Sequence, residues 1–284
     1  MITAPALSGK RFAVLGLARS GLAAAESLLA SGAEVTAWDR QEDPRAKLAG
    51  RARIADPMDI DIAGFDGVVV SPGVPLNSHP IAGKAREAGV PIIGDIELFA
   101  LARPHLPPHR VIGITGTNGK STTTALVHHL LSAAGVPTLM GGNIGLPILD
   151  QDPLHAGGVY VLELSSYQLD LTRSLDCDAA ALTNITPDHL DRYDGFEAYC
   201  RSKSRLFALQ SPGQFAVFGC ADAPTRAIRE IESVRRPKGR AVCCDPELVA
   251  PLQPNWRSLQ GPHNLQNAGI AAWLCAEMGV PNEQ

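Results

Sequence analysis

The chain is 284 residues long, 45% hydrophobic and 19% charged, with 25 Lys and Arg against 29 Asp and Glu. A formal net charge of −4 with no basic stripe excludes a general nucleic-acid binder, and no apolar run is long enough to span a bilayer as a helix. The six cysteines (Cys177, Cys200, Cys220, Cys243, Cys244 and Cys275) show no CxxC spacing, and with no secretory leader in view they are expected to be reduced thiols of a cytoplasmic protein.

Length predicts about two domains. The first opens on a buried strand over residues 11–17, a turn GLARSG, and a helix over residues 22–31. A second strand, residues 34–38, ends at Asp39. This is a βαβ unit of the dinucleotide-binding kind, with Gly16 and Gly21 in place but Ala18 at the middle glycine position. The turn offers a helix N-terminus to a phosphate, and Asp39 offers a carboxylate to a ribose or base. An α/β domain with an empty turn is the plain alternative. A third strand, residues 66–71, runs into the rigid turn Pro72-Gly73-Val74-Pro75 at the carboxyl edge of the sheet, where such sheets bind ligands. A helix over residues 80–88, a short strand over 91–93 and a helix over 95–102 capped by Asp95 follow. The segment RPHLPPHR, residues 103–110, has three prolines and no hydrophobic period. It marks the boundary between domains at residues 1–104 and 105–284.

The second domain begins with VIGITGTNGKSTTT, residues 111–124. An apolar strand, a turn with Gly116 and Gly119, and an amphipathic helix opened by Lys120, Ser121 and Thr122 make a phosphate cradle. The strict P-loop pattern wants Gly where Ile114 stands, so TGTNGKST is a variant. Lys120 is placed to reach the β- and γ-phosphates and the Ser121 or Thr122 hydroxyl to face Mg²⁺. A strand near residues 138–140 leads to the turn 141–145, and the strand 159–164 carries Glu163 to its end beside Ser165 and Ser166. A carboxylate at the tip of a strand near a phosphate loop is the usual second anchor of Mg²⁺. The strand 179–184 delivers His189 to the same rim, and a helix over residues 199–208 carries Lys203. Strands over 214–218 and 240–243, with a helix between them, complete the layer. Asn264 and Asn267, three apart near the end, share one helix face, where they are either caps or readers of an adenine edge.

The stretches GLARSG, SPGVP, GDIELF, TGTNGKST, GGNIG, ELSSYQL, NITPDHLDRY, the Lys203 helix and HNLQNA occur in the order of the Mur ligase family, and the chain resembles that family over nearly all its length. SPGVP and ELSSYQL resemble the D-glutamate-adding branch. The resemblance implies an α/β fold, with a Rossmann-like N-terminal domain for the UDP portion of the substrate followed by a P-loop-type ATP-binding central domain. It implies a cytoplasmic monomer that joins UDP-N-acetylmuramoyl-L-alanine to D-glutamate for peptidoglycan, using ATP and Mg²⁺. By resemblance, Arg19, Ser20, Asp39, Arg40 and Gly73 line the UDP pocket, and Asn143 and Ser165 contact the muramoyl part. Gly116, Thr117, Asn118, Gly119, Lys120, Ser121 and Thr122 hold the ATP phosphates, with Asn264 and Asn267 near the adenine. Ser121, Glu163, His189 and a carbamylated Lys203 serve Mg²⁺, and Lys120, His189 and Lys203 are the expected catalytic residues. The family's last third, which brings the amino acid, has no counterpart here, so the chain by itself is expected to bind its ligands without ligating them.

The residues leave three other readings open. A plain P-loop ATPase or nucleotide kinase accounts for residues 111–210 but gives the front domain no task. A nicotinamide-dependent dehydrogenase uses Gly16, Gly21 and Asp39 but lacks the middle glycine and ignores the phosphate loop. A non-catalytic binding module keeps affinity without turnover.

Overall fold

The structure, a computed structural model, describes residues 1–281. It contains two compact units. The first comprises Met1–Leu106 together with Leu146–Pro153 and Asp170–Leu175, and the second comprises Pro107–Gly145, Leu154–Leu169 and the chain from Asp176 onward. Both are α/β, as the alternating strand and helix patterns predict. Among the described residues no helix is long and apolar enough to cross a membrane.

In the first unit the order is β1 (Arg11–Leu15), α1 (Arg19–Ala30), β2 (Glu34–Trp38), α2 (Glu42–Ala46), β3 (Arg53–Ile54), β4 (Gly67–Val70), α3 (Ile81–Glu87), β5 (Ile92–Ile93) and α4 (Asp95–Ala102). The described strands form one parallel sheet in the order β3-β2-β1-β4-β5. The continuous apolar run Phe12–Leu15 suits a strand covered on both faces. Ala13, Leu15, Val68 and Val70 pack with Ile62, Ile81 and Ala85 into one core. Each such large side chain contributes about 1.5–3 kcal/mol by leaving water.

Two segments from later in the chain belong to this core unit. The Leu149 carbonyl accepts the Ile2 N–H at 3.0 Å. Buried Glu97, on α4, accepts the N–H groups of Arg173 and Ser174 at 2.6 and 2.9 Å and the Ser174 hydroxyl at 2.7 Å.

In the second unit the order is β6 (His109–Thr115), α5 (Lys120–Ala133), β7 (Thr138–Gly142), β8 (Gly158–Glu163), α6 (Ser166–Asp170), β9 (Ala179–Leu182), α7 (Gly195–Leu209), β10 (Phe215–Phe218), α8 (Ala223–Arg235), β11 (Ala241–Cys243) and α9 (Pro262–Glu277). The sheet is again parallel, in the order β11-β10-β9-β6-β8-β7. Ile112, Ile114, Val127, Leu131, Val161, Ile270 and Leu274 share its core. In each sheet the first strand of the unit lies between neighbours that lead off to opposite sides. The turns after β1 and β6 therefore open at topological switch points, where open α/β sheets hold their ligands.

Several elements differ from their sequence reading. β1 ends at Leu15, because Gly16 turns the chain with φ +84°. α1 begins at Arg19, so Gly21 is an internal helix residue. A Cβ on Gly21 would lie 1.8 Å from the Gly16 carbonyl oxygen, and only a glycine allows the helix to sit that close to the turn. α7 begins at Gly195, four residues early. Asp95 does not cap α4: the N-cap is Gly94, with no side-chain cap bond, and Asp95 is buried in the first turn. The cysteines are not all reduced. Cys220 and Cys243 form a disulfide, with Cα atoms 5.7 Å apart. They stand 23 residues apart in sequence, and the crossover through α8 brings the carboxyl ends of β10 and β11 side by side.

Candidate functional site

The turn after β6 is built around Gly119, which takes the left-handed conformation at φ +83° as the N-cap of α5. No side chain caps that helix, so its first N–H groups remain for a ligand. The site of a Cβ on Gly119 is 2.4 Å from Asn267 Oδ1. Asn267, buried, thus touches the loop from α9, and its Nδ2 donates to Asn264 Oδ1 at 3.3 Å. The shared helix face predicted for the two asparagines is present, and it lies against the phosphate turn.

Lys120 opens α5 and folds its Nζ back to the Thr117 carbonyl at 2.8 Å. Burial draws its ammonium below the ordinary lysine range, and the nearby carboxylates of Glu163 and Asp188 pull it back up. Glu163, at the end of β8, is buried. Its Oε1 accepts from Asn143 Nδ2 at 2.7 Å, while Oε2 is buried with no hydrogen-bond partner. The Asn143 N–H donates to the Glu163 carbonyl at 2.8 Å. A buried, unpartnered carboxylate oxygen beside a phosphate loop is the chemistry a Mg²⁺ ion accepts, since that ion takes one or two carboxylates and completes its shell with phosphate and water. Among the described residues no three His, Cys, Asp or Glu side chains cluster as a metal cage. Glu163 fits such an ion, with Ser121 exposed on the first turn of α5 as a hydroxyl donor.

His189 lies past β9 with φ +52°, the one non-glycine residue in the left-handed region among the described residues. Such a conformation costs about 1–3 kcal/mol and persists where surroundings impose it, often at functional sites. Its N–H donates to Asp188 Oδ1 at 2.9 Å, its Nε2 is 3.5 Å from Asp188 Oδ2, and its ring lies 5.2 Å from that of Tyr167. Lys203, on α7, is 2% exposed. Its Nζ donates to the Gly116 carbonyl at 2.7 Å and sits 4.6 Å over the Tyr199 ring. In this form Lys203 is a donor and not a metal ligand.

Sequence reasoning passed over the residues that hold the first half of the loop. The Thr117 N–H donates to the Asn184 carbonyl at 2.8 Å, and the Asn118 N–H donates to Asn184 Oδ1 at 2.9 Å. Asn184 Nδ2 and the Thr183 hydroxyl both donate to the Asn118 carbonyl, at 2.9 and 2.7 Å. Gln266, one residue before Asn267, donates to the Thr183 carbonyl at 2.9 Å. The available signal was position, because residues 183 and 184 follow β9, which pairs with β6.

In the first unit, Asp39 Oδ2 accepts the Leu17 N–H at 2.6 Å, and Oδ1 accepts the Gln41 N–H at 2.9 Å. The Ser71 hydroxyl donates to the Gly16 carbonyl at 2.7 Å. Asp39 therefore holds the turn in shape. Arg19 and Arg40 are exposed, Ser20 is half-buried in the first turn of α1, and that helix has no side-chain cap. Gly73 is exposed with open space around it. Ser165, in the second unit, exchanges hydrogen bonds with Gln168: its hydroxyl is 3.1 Å from Gln168 Oε1 and accepts the Gln168 N–H at 3.2 Å.

Comparison with known proteins adds family to geometry. The Mur ligase middle domain matches residues 114–240, and the Mur ligase MurD-like N-terminal domain matches residues 10–94. A UDP-N-acetylmuramoylalanine–D-glutamate ligase of Novosphingobium aromaticivorans is 63% identical over 283 residues, covering 100% of this chain and 64% of the relative. A protein of the same name from Zymomonas mobilis is 54% identical, covering 100% of this chain and 66% of its own length. The chain thus spans just under two thirds of the length of these relatives. Among solved structures, a UDP-N-acetylmuramate:L-alanyl-gamma-D-glutamyl-meso-diaminopimelate ligase from Neisseria meningitides superposes with a TM-score of 0.62 at 17% identity, covering 96% of this chain and 95% of that one. MurF from Acinetobacter baumannii gives 0.52 at 20% identity, covering 99% and 60%. At those identities the two structures speak to the fold.

Proposed function

The chain belongs to the Mur ligase family, and from that premise we propose that it serves the ATP-dependent joining of D-glutamate to UDP-N-acetylmuramoyl-L-alanine, a step in peptidoglycan precursor synthesis. The names of the 63% and 54% identical relatives support the choice of amino acid. The observation that carries the chemistry is the placement of Lys120 and the unpartnered Glu163 oxygen beside an uncapped helix N-terminus.

A carboxylate resists attack by an amine because oxide would have to leave. Transfer of the γ-phosphoryl group of ATP to that carboxylate gives an acyl phosphate, from which phosphate leaves when the D-glutamate amine attacks. Two anions must meet in the first step, so positive charge and orientation are what the site has to supply. Lys120 and the N–H groups of Gly119 through Thr122 serve the phosphates. Asn264 and Asn267 serve the adenine end. Mg²⁺, when bound, neutralises phosphate charge, and Glu163, Ser121 and His189 are the residues that would hold it. Asn143 keeps one Glu163 oxygen engaged and leaves the other for the ion. Lys203 joins that set only as a carbamate, whose nitrogen keeps one hydrogen for the Gly116 carbonyl. Arg19, Ser20, Arg40 and Gly73 serve the UDP portion, with Asp39 shaping the turn. The proposed division is a UDP-substrate domain over residues 1–104 and an ATP domain from residue 105.

Calorimetry with Mg·ATP, UDP-N-acetylmuramoyl-L-alanine and NADH tests this reading. Binding of the first two and not the third is expected. A chain that takes ATP but is indifferent to the UDP substrate at millimolar concentration is a nucleotide-binding module of another kind, and the ligase reading fails.

A further inference from the structure

The first half of the phosphate loop is fastened from α7, in part by a residue that the ligase reading does not use. Tyr199 lies on α7 one turn before Lys203, and both side chains are buried, at 1% and 2% exposure. Each holds one loop residue. Lys203 donates to the Gly116 carbonyl at 2.7 Å, and the Tyr199 hydroxyl lies 3.2 Å from Thr117 Oγ1. Either hydroxyl can donate in that contact, and the other hydrogen bonds of Thr117 favour Tyr199. The Thr117 hydroxyl gives its single hydrogen to the Thr186 carbonyl at 3.2 Å and accepts the Thr186 N–H at 3.0 Å. One lone pair remains, and Tyr199 O–H fills it. Burial pushes the Tyr199 phenol above the ordinary tyrosine range, so it keeps its proton at neutral pH.

Thr117 has therefore spent every hydrogen-bonding group of its side chain, and its N–H, on protein partners. It cannot hold a phosphate without breaking one of them. The residues free to do so are the next ones, Gly119 through Thr122, at the uncapped start of α5.

We propose that Tyr199 is a positioning residue of the phosphate loop, whose hydroxyl on Thr117 and ring beneath Lys203 fix residues 116 and 117 so that the N–H groups of residues 119–122 meet the β- and γ-phosphates of a nucleoside triphosphate. It rests on the reading of this loop as a nucleotide site, and it assigns a task to a residue that acts through Thr117. A hydroxyl that shapes the loop acts on the phosphates beyond the first. A hydroxyl that only stabilises the fold acts on every nucleotide alike.

The test is isothermal titration of the whole chain, in Mg²⁺ buffer, with ATP and with AMP. Wild-type binding of ATP comes first, because its absence overturns the nucleotide reading and this proposal with it. Given that binding, Tyr199→Phe should weaken ATP by about three- to tenfold, the worth of one buried neutral hydrogen bond, and leave AMP within twofold. Tyr193→Phe is the control, since its hydroxyl is 3.2 Å from Ser202 Oγ, and it should leave both ligands unchanged. Thr117→Val guards against a folding defect in the Tyr199 variant: it should weaken ATP on its own, and the double variant should lose less than the product of the single losses. Unchanged ATP affinity in Tyr199→Phe, equal losses for ATP and AMP, or multiplicative losses in the double variant would each overturn the assignment.

Discussion

Replacing Glu163 by Gln separates a metal ligand from a structural carboxylate. In the free protein, Gln keeps the bond from Asn143 Nδ2 to Oε1 and turns the unpartnered Oε2 into a neutral group. The amide nitrogen that replaces Oε2 is no better partnered there, so the gain is the relief of a buried charge. Against it stands the lost attraction to Lys120, whose ammonium Glu163 favours. The two oppose, so the free variant should melt within a few degrees of wild type. With ligand the balance shifts. Mg·ATP at 100 times its dissociation constant stabilises the wild-type fold by about 2.7 kcal/mol. At roughly 2–4 °C per kcal/mol for a domain of this size, that is a shift of about 5–11 °C. If the variant binds Mg·ATP 100-fold more weakly, the same concentration gives about 0.4 kcal/mol and a shift of about 1–2 °C. Melting curves with ATP in Mg²⁺ and in chelator read the difference directly. A variant that keeps the full Mg²⁺-dependent shift would show that Glu163 does not hold the ion.

Three further outcomes are expected. Lys120→Ala should weaken ATP by about 10- to 150-fold, the range of a charge-assisted hydrogen bond, and leave UDP-substrate affinity nearly unchanged, because Arg19, Ser20, Asp39, Arg40 and Gly73, the residues given to the UDP portion, lie in the other unit; equal loss of both in calorimetry would show that the sites are one. Glu97→Ala strands three donors and should destabilise the first unit by about 3–5 kcal/mol, with faster hydrogen exchange at the Arg173 and Ser174 amides; unchanged exchange there would refute the role given to Glu97. Burial pushes Cys244 and Cys275 up to about 12. A folded thiol raised above its unfolded value of about 8.5 supports the fold fully below that pH and progressively less as pH climbs toward 12, so native protein at pH 8 should leave both thiols unlabelled by maleimide, and rapid labelling would contradict the burial.

The strands were legible because their apolar runs are continuous, as Val111–Ile114 and Val159–Leu162 show once buried in a sheet covered on both faces. Helix starts were less so. Gly21 reads as part of the turn, yet it lies inside α1 and packs that helix onto the turn, and α7 opens at Gly195, four residues before its expected start. The places of Lys120 at the start of α5 and of Glu163 at the end of β8 were legible, since both carry their signal locally. The clamp was not: Asn184 and Tyr199 reach Thr117 and Asn118 from 66 and 82 residues away, and no local pattern encodes that. The disulfide failed to appear for the same reason, since only the pairing of β10 with β11 makes Cys220 and Cys243 neighbours.

The two turns at the switch points use one device with opposite electrostatics, and that leads to a last prediction. In the first unit, the residue after β2 sends a carboxylate back to the turn, where Asp39 takes the Leu17 N–H. In the second, the segment after β9 sends a neutral amide, and Asn184 both accepts from the Asn118 N–H and donates to its carbonyl. A carboxylate beside the first turn is compatible with hydroxyls of a ribose or base. Beside a triphosphate it is not. Asn184→Asp tests this, because Asp can still accept the Asn118 N–H while losing the donated bond and adding a negative charge. Two like unit charges about 5 Å apart at an effective dielectric constant near 20 repel by about 3 kcal/mol, which sets the scale of the penalty. ATP affinity should fall at least tenfold, AMP affinity should fall less, and raised salt should recover part of the loss. Asn184→Ser, which removes the clamp without the charge, measures the hydrogen-bond share. If Asp and Ser weaken ATP equally and salt changes neither, charge has no part in the choice of an amide here, and the contrast between the two turns is one of shape alone.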